Sequence, residues 1–133
     1  MSPQALMVED DADRAAWIAR ETPKVKWRRA PNEKIALGFL RQALAARQAL
    51  PPVVFLDFDL HGVHGGGGEK VADWLCRHRY PGVVVVQSTN PVGGPRMTQD
   101  LAACGIRVLH APAFSFLTPG PIWRHAFAIA GQR

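Results

Sequence analysis

The acids of this chain stand where they could do chemistry: Glu9-Asp10-Asp11 directly follows the apolar run Ala5 to Val8, and Asp57-Phe58-Asp59 directly follows Val53 to Leu56. Carboxylates at the ends of two central strands repel one another in a shared crevice. No Lys or Arg lies within three positions of Asp57 to offset this, so a bound cation is the expected relief. The donors are hard oxygens, which favour Mg2+ over zinc; Mg2+ takes one or two carboxylates and keeps positions for water and a phosphate oxygen. Asp10 or Asp11 together with Asp57 is therefore the expected metal site. The competing reading makes Asp11 or Asp13 a helix N-cap and Asp59 a residue that holds a loop.

A further apolar run, Val83 to Val86, leads into Gln87-Ser88-Thr89-Asn90. The Ser88 hydroxyl and the Asn90 amide are suited to meet phosphate oxygens, and Arg96 flanks them. Four successive glycines, Gly65 to Gly68, admit a phosphate-cradling reading but match neither common phosphate-loop pattern, so a flexible loop is the simpler description. His61, His64 and His110 are the rings available for proton transfer near these segments, although an isolated loop histidine is more often exposed or satisfied by a neighbour.

The elements that must position these groups alternate along the chain. Ala5 to Val8 reads as a strand and Asp13 to Glu21 as a helix with Ala15, Ile18 and Ala19 in register. Val25-Lys26-Trp27-Arg28 alternates apolar with basic residues, as an edge strand does, and Glu33 to Gln48 carries an apolar stripe behind the cap signal Pro31-Asn32. Val53 to Leu56 and Val83 to Val86 are continuously apolar, which predicts strands covered on both faces. Helices are expected at Glu69 to Arg79, around Met97 to Cys104 and at Pro121 to Ala130, with a fifth strand at Arg107 to His110. Five strands alternating with five helices predict a doubly wound five-stranded parallel sheet, with the ligand beyond the carboxyl ends of the strands.

The 133 residues suit a single domain over 1–133, and 47% apolar with 20% charged residues is ordinary globular composition. The net charge of +5 is scattered, with one cluster at Lys24, Lys26, Arg28 and Arg29. That pattern describes a solvated basic face better than a nucleic-acid groove, because Trp27 is the one aromatic ring within it. Cys76 and Cys104 stand apart, without a CxxC or metal-ligand spacing, and are read as isolated thiols in a reducing, cytoplasmic setting. Neither a signal peptide nor a membrane-spanning run is expected.

Val8-Glu9-Asp10-Asp11 followed by Leu56-Asp57-Phe58-Asp59-Leu60-His61-Gly62 resembles the receiver domain of two-component response regulators over roughly residues 5–117. The resemblance implies the flavodoxin-like (βα)5 fold with strand order 2-1-3-4-5. It also implies Mg2+ at the acidic pair Asp10 and Asp11, a phosphoacceptor at Asp57, a metal contact from the backbone carbonyl of Asp59, and Ser88 or Thr89 as the hydroxyl residue. The chain departs from that pattern at strand five, where Ala111 precedes Pro112 in place of the Lys that meets phosphoryl oxygens, and Val108 stands in place of the aromatic switch residue. Without that Lys no route leads from phosphorylation to a conformational shift.

A narrower resemblance absorbs the departures. Asp57-x-Asp59-Leu60, the Gly-rich stretch, Val71-Ala72-Asp73-Trp74-Leu75 and Ser88-Thr89-Asn90-Pro91 with Met97 and Gly105 are similar to the cyclic-phosphate processing receiver domain family. That family is usually written with a His between the two aspartates and another before the serine; here those positions are Phe58 and Gln87. The resemblance implies a metal-dependent phosphoesterase acting on cyclic phosphates, and the two replacements imply a site that binds such a ligand with slow or no turnover. The ligand expected at Ser88, Thr89 and Asn90 is a phosphate-containing small molecule or a nucleic-acid end. The groups named for chemistry are Asp57, Ser88 and, as a replacement ring, His61. The alternative is a stand-alone receiver that is phosphorylated on Asp57 and signals to a protein partner. Phe55-Leu56-Asp57-Phe58-Asp59 also resembles the first motif of haloacid dehalogenase-type phosphatases, but no Lys follows residue 90 to complete that set.

Overall fold

A computed structural model describes residues 5–62, 65–112 and 119–131; His64 lies outside the described residues. The elements run β1 Ala5–Val8, α1 Ala12–Glu21, β2 Trp27–Ala30, α2 Glu33–Ala45, β3 Val53–Asp57, α3 Gly68–Arg77, β4 Val83–Ser88, α4 Gly93–Ala103, β5 Arg107–Pro112 and α5 Pro119–Ala130. All five strands are parallel and pair in the order β2-β1-β3-β4-β5, the doubly wound sheet expected from the alternation. No helix among the described residues is long and apolar enough to cross a membrane.

Strand parity divides the core in two. Leu6, Val8, Val54, Leu56, Val84 and Val86 face Ala36 and Leu40 of α2, Val71 and Leu75 of α3, and Met97 and Leu101 of α4. Ala5, Met7, Val53, Phe55, Val83 and Val85 face Ala15 and Ile18 of α1 and Ala126 of α5. Every one of these side chains is buried, and burying an aliphatic side chain of this size stabilises by ~1.5–3 kcal/mol. The register places Val8, Leu56 and Val86 side by side, so β1, β3 and β4 reach their carboxyl ends together. Whatever follows those ends shares one crevice.

β2 lies two residues beyond the expected Val25 to Arg28. The Val25 N–H closes a turn on the Thr22 carbonyl and the Trp27 indole donates to Thr22 Oγ1, so the chain extends only from Trp27. Arg28 then lies over the Phe39 ring at 4.4 Å, and buried Ala30 pairs with Val8.

The two cysteines are not isolated. Cys76 and Cys104 form a disulfide with Cα atoms 5.6 Å apart. Cys76 lies in the last turn of α3, and Cys104 is the residue that caps α4. Both helices return from neighbouring parallel strands, so they end side by side, a proximity that no spacing along the chain reveals.

Candidate metal and phosphate site

The parity that builds the core also builds the site. Continuing β1 past Met7 puts Glu9 on the face that packs against α1, and continuing β3 past Phe55 puts Asp57 on the same face. Glu9 is 0% exposed and Asp57 is buried. Glu9, Asp10 and Asp57 each present a carboxylate oxygen within 4.8 Å of the others. The turn that carries Glu9 and Asp10 is pinned by Arg29, whose Nε and Nη2 donate to their carbonyl oxygens, both at 3.1 Å.

Of the expected metal residues, Asp10 and Asp57 come together, and the third acid is Glu9. Asp11 is the N-cap of α1: its Oδ1 accepts from the N–H groups of Asp13 at 2.9 Å and Arg14 at 3.0 Å. The Asp59 carboxylate turns into its own loop and accepts from Gly66 N–H at 3.1 Å. Its backbone N–H donates to Asp57 Oδ1 at 3.2 Å. The consecutive Asp10-Asp11 pair does not mark Glu9. The signal that finds it is the two-residue parity shared by Met7–Glu9 and Phe55–Asp57.

Burial is the chief cause that lifts Glu9 to about 9, with the Asp57 charge adding to it and Arg14 pulling the other way. Asp57 is lifted to about 6, again by burial foremost, against a hydrogen bond from Glu9 and the charge of Arg14. At neutral pH the pair therefore retains a proton that a hard cation is suited to displace.

Ser88 ends β4 beside the head of α4, and its Oγ accepts from Asn90 N–H at 3.0 Å. Asn90 Oδ1 accepts from the N–H groups of Val92 and Gly93, at 3.1 and 2.7 Å, which closes the first turn of α4 and leaves the side-chain NH2 as the donor. Thr89 is exposed. Phe58 is half-buried, with its ring pressed so closely on Gly93 that a Cβ there would lie 2.3 Å from the ring edge. A cavity of about 530 Å³ opens alongside, lined by Phe58, Asn90, Val92, Arg96 and Met97 among others. Gln87 is buried and registers with Asp57 across β3 and β4.

His61 does not join the carboxylates. Its Nε2 pairs with Glu33 Oε1 at 2.7 Å, at the head of α2, and the side chain is 53% exposed. The Gly-rich loop is not a loose tether throughout. Gly68 donates to the Phe58 carbonyl at 2.9 Å, and a Cβ on it would fall 2.2 Å from the Asp57 carbonyl oxygen. Gly68→Ala is therefore expected to lower unfolding free energy by ~2–4 kcal/mol in urea denaturation. Gly38→Ala, inside α2 with open space around it, is expected to raise it by ~0.5–1 kcal/mol. Equal effects would show that close packing at Gly68 is not what that position requires.

Residues 5–103 match the family model described as the cyclic-phosphate processing receiver domain. No curated protein matches the sequence. A signal receiver domain from Vibrio parahaemolyticus superposes with TM-score 0.70 at 17% identity, covering 98% of this chain and 90% of that one. The Mn2+-bound response regulator Rcp1 gives 0.64 at 14%, covering 98% and 94%. Response regulator TrrA from Thermotoga maritima, in complex with Mg2+-BeF, gives 0.66 at 14%, covering 97% and 99%. At these identities the superpositions establish the receiver fold.

Proposed function

The chain belongs to the cyclic-phosphate processing receiver domain family, and from that premise we propose that its crevice binds Mg2+ together with a phosphate-containing ligand, a cyclic phosphate being the class the family points to. The observation that carries this reading is the convergence of Glu9, Asp10 and Asp57 within 4.8 Å, two of them buried. An all-oxygen donor set fits a hard divalent cation. The structures of Rcp1 with Mn2+ and TrrA with Mg2+-BeF lend the analogy of related folds that take such ions. A bound ion would neutralise the cluster and draw in a phosphate oxygen.

The chain's own groups do the rest. In this reading Asp59 takes part through its backbone carbonyl, since its carboxylate is engaged by Gly66. Asp11 contributes only its field, being committed to the cap of α1. The Ser88 hydroxyl and the Asn90 NH2 donate to phosphate oxygens, with Thr89 at the rim, and the cavity beside Phe58 takes the organic part of the ligand. His61, held by Glu33, stands outside the carboxylate cluster. The ligand is a small phosphate ester or the cyclic phosphate at a nucleic-acid end.

Calorimetry with a 2′,3′-cyclic nucleotide and with a short RNA ending in a 2′,3′-cyclic phosphate tests this. Binding is expected only with Mg2+ present, and Ser88→Ala is expected to weaken it ~10-fold or more, the worth of one hydrogen bond to a charged oxygen. No binding of either probe, or of a plain phosphate monoester, at millimolar concentration with Mg2+ would overturn the phosphate reading.

A further inference from the structure

No basic residue is near Asp57 in sequence, yet the fold supplies one. Arg14, in the first turn of α1, places Nη1 3.2 Å from Glu9 Oε1 and 3.7 Å from Asp57 Oδ2. The oxygens on the other side of these carboxylates are taken by backbone: Glu9 Oε2 by Asp11 N–H at 3.4 Å and Asp57 Oδ1 by Asp59 N–H at 3.2 Å. Asp10 Oδ2 is likewise held by Gly62 N–H at 3.1 Å. The oxygens of Glu9 and Asp57 that no backbone group engages are therefore the pair that Arg14 already faces. A guanidinium cannot vacate the position by losing its proton, because it is charged at any physiological pH. Its exit is a movement of the side chain, and that side chain is 33% exposed, so solvent is open to it.

We propose that Arg14 is the resident counter-cation of the carboxylate cluster and that a divalent ion enters by displacing it, so that Arg14 sets the metal affinity of the site. This rests on the metal-binding reading above. The two cations draw on the same oxygens and repel each other at the few ångströms that separate them, in a setting where buried acids make charge interactions strong. Every ion bound must therefore first break the contacts of Arg14 with Glu9 and Asp57. The arrangement gives the metal-free protein a partly neutralised cluster and makes the site selective for ions of high charge density.

Mn2+ is the probe, titrated into the full chain at pH 8 by calorimetry and by electron paramagnetic resonance of the free ion. Arg14→Gln is expected to bind Mn2+ ~10-fold more tightly than wild type or better, since a unit positive charge has left the ion's immediate surroundings. A second measurement needs no substitution: the Arg14 Nε–H resonance of 15N-labelled wild type is expected to move toward the position of a solvated arginine as Mg2+ is added. Equal or weaker Mn2+ binding by Arg14→Gln, or an Arg14 resonance unmoved at Mg2+ saturation, overturns the counter-cation role while leaving the metal site itself standing. Absence of Mn2+ binding by both proteins up to millimolar concentration overturns the metal reading and this inference together.

Discussion

Asp57→Asn is expected to weaken Mg2+ or Mn2+ binding at least ~100-fold and, in the metal-free protein at pH 8, to raise unfolding free energy by ~1–3 kcal/mol. The two effects have one origin. Burial holds Asp57 at about 6 and Glu9 at about 9, above the 3.8 and 4.5 usual for such groups, so the folded state keeps protons that the unfolded chain releases. Where the folded state binds more protons, stability falls as pH rises. For Asp57 that fall runs from near 4 to about 6, and for Glu9 it continues to about 9. An amide of the same shape removes one of the two charges and flattens the decline. Metal acts in the opposite sense, because the ion needs the carboxylates deprotonated and stabilises only the folded state that assembles them. The rise in melting temperature produced by millimolar Mg2+ should accordingly be larger at pH 8 than at pH 6 in wild type, and absent in Asp57→Asn. Thermal melts at both pH values, with and without the ion, read all of this. A wild-type melting temperature indifferent to Mg2+ at pH 8 would remove the metal from the site.

Phe58→His combined with Gln87→His is expected to raise hydrolysis of a 2′,3′-cyclic nucleotide by ~10²–10⁴-fold over wild type, the range that general acid–base groups contribute. Neither a phenyl ring nor a neutral amide moves protons. The two positions differ in a way that would divide the labour. Gln87 is buried in register with Asp57, so an imidazole there has a carboxylate beside it that favours its protonated form. Phe58 rests on Gly93, the first residue of α4, where the positive end of the helix favours neutral imidazole. Two rings whose environments push them apart supply an acid and a base. The assay compares wild type, each single variant, the double variant and His61→Ala. Fast turnover by wild type that survives His61→Ala would show that the site works without these groups, and a double variant that binds ligand with no gain in rate would sink the acid–base assignment.

The fold was legible because the central strands announce themselves. Val53 to Leu56 and Val83 to Val86 are apolar at every position, as a strand sandwiched between helix layers is, and Pro51-Pro52 with Pro81-Gly82 bounds each run to strand length. The placement of Asp10, Asp57 and Ser88 at or just beyond the carboxyl ends of their strands follows from that topology. What escaped was set by geometry that sequence neighbours do not carry. Asp11 looked like half of an acidic pair, but α1 begins at Ala12 and takes Asp11 as its cap, leaving Glu9 to follow the strand inward. Arg14 was invisible as a partner of Asp57 because its reach is defined by α1 lying over the face shared by Met7 and Phe55. The start of β2 shifted because Trp27 serves two structures at once, closing the Thr22 turn and opening the strand.

The bond between Cys76 and Cys104 makes residues 76–104 a covalent ring that carries β4, Ser88, Asn90 and the whole of α4. A messenger needs a part that can be in either of two places. Here the far end of α4 is bolted to α3, so any slide that starts at the Asn90 turn must drag α3 along, and α3 itself begins at Gly68, wedged on the Asp57 carbonyl. The two helices form a single plate whose near edge holds the turns after β3 and β4 and whose far edge is cross-linked. Ala111, buried at the strand-five position, brings no charge to this edge. The bond thus couples the turns that follow β3 and β4 through the two helices that leave them.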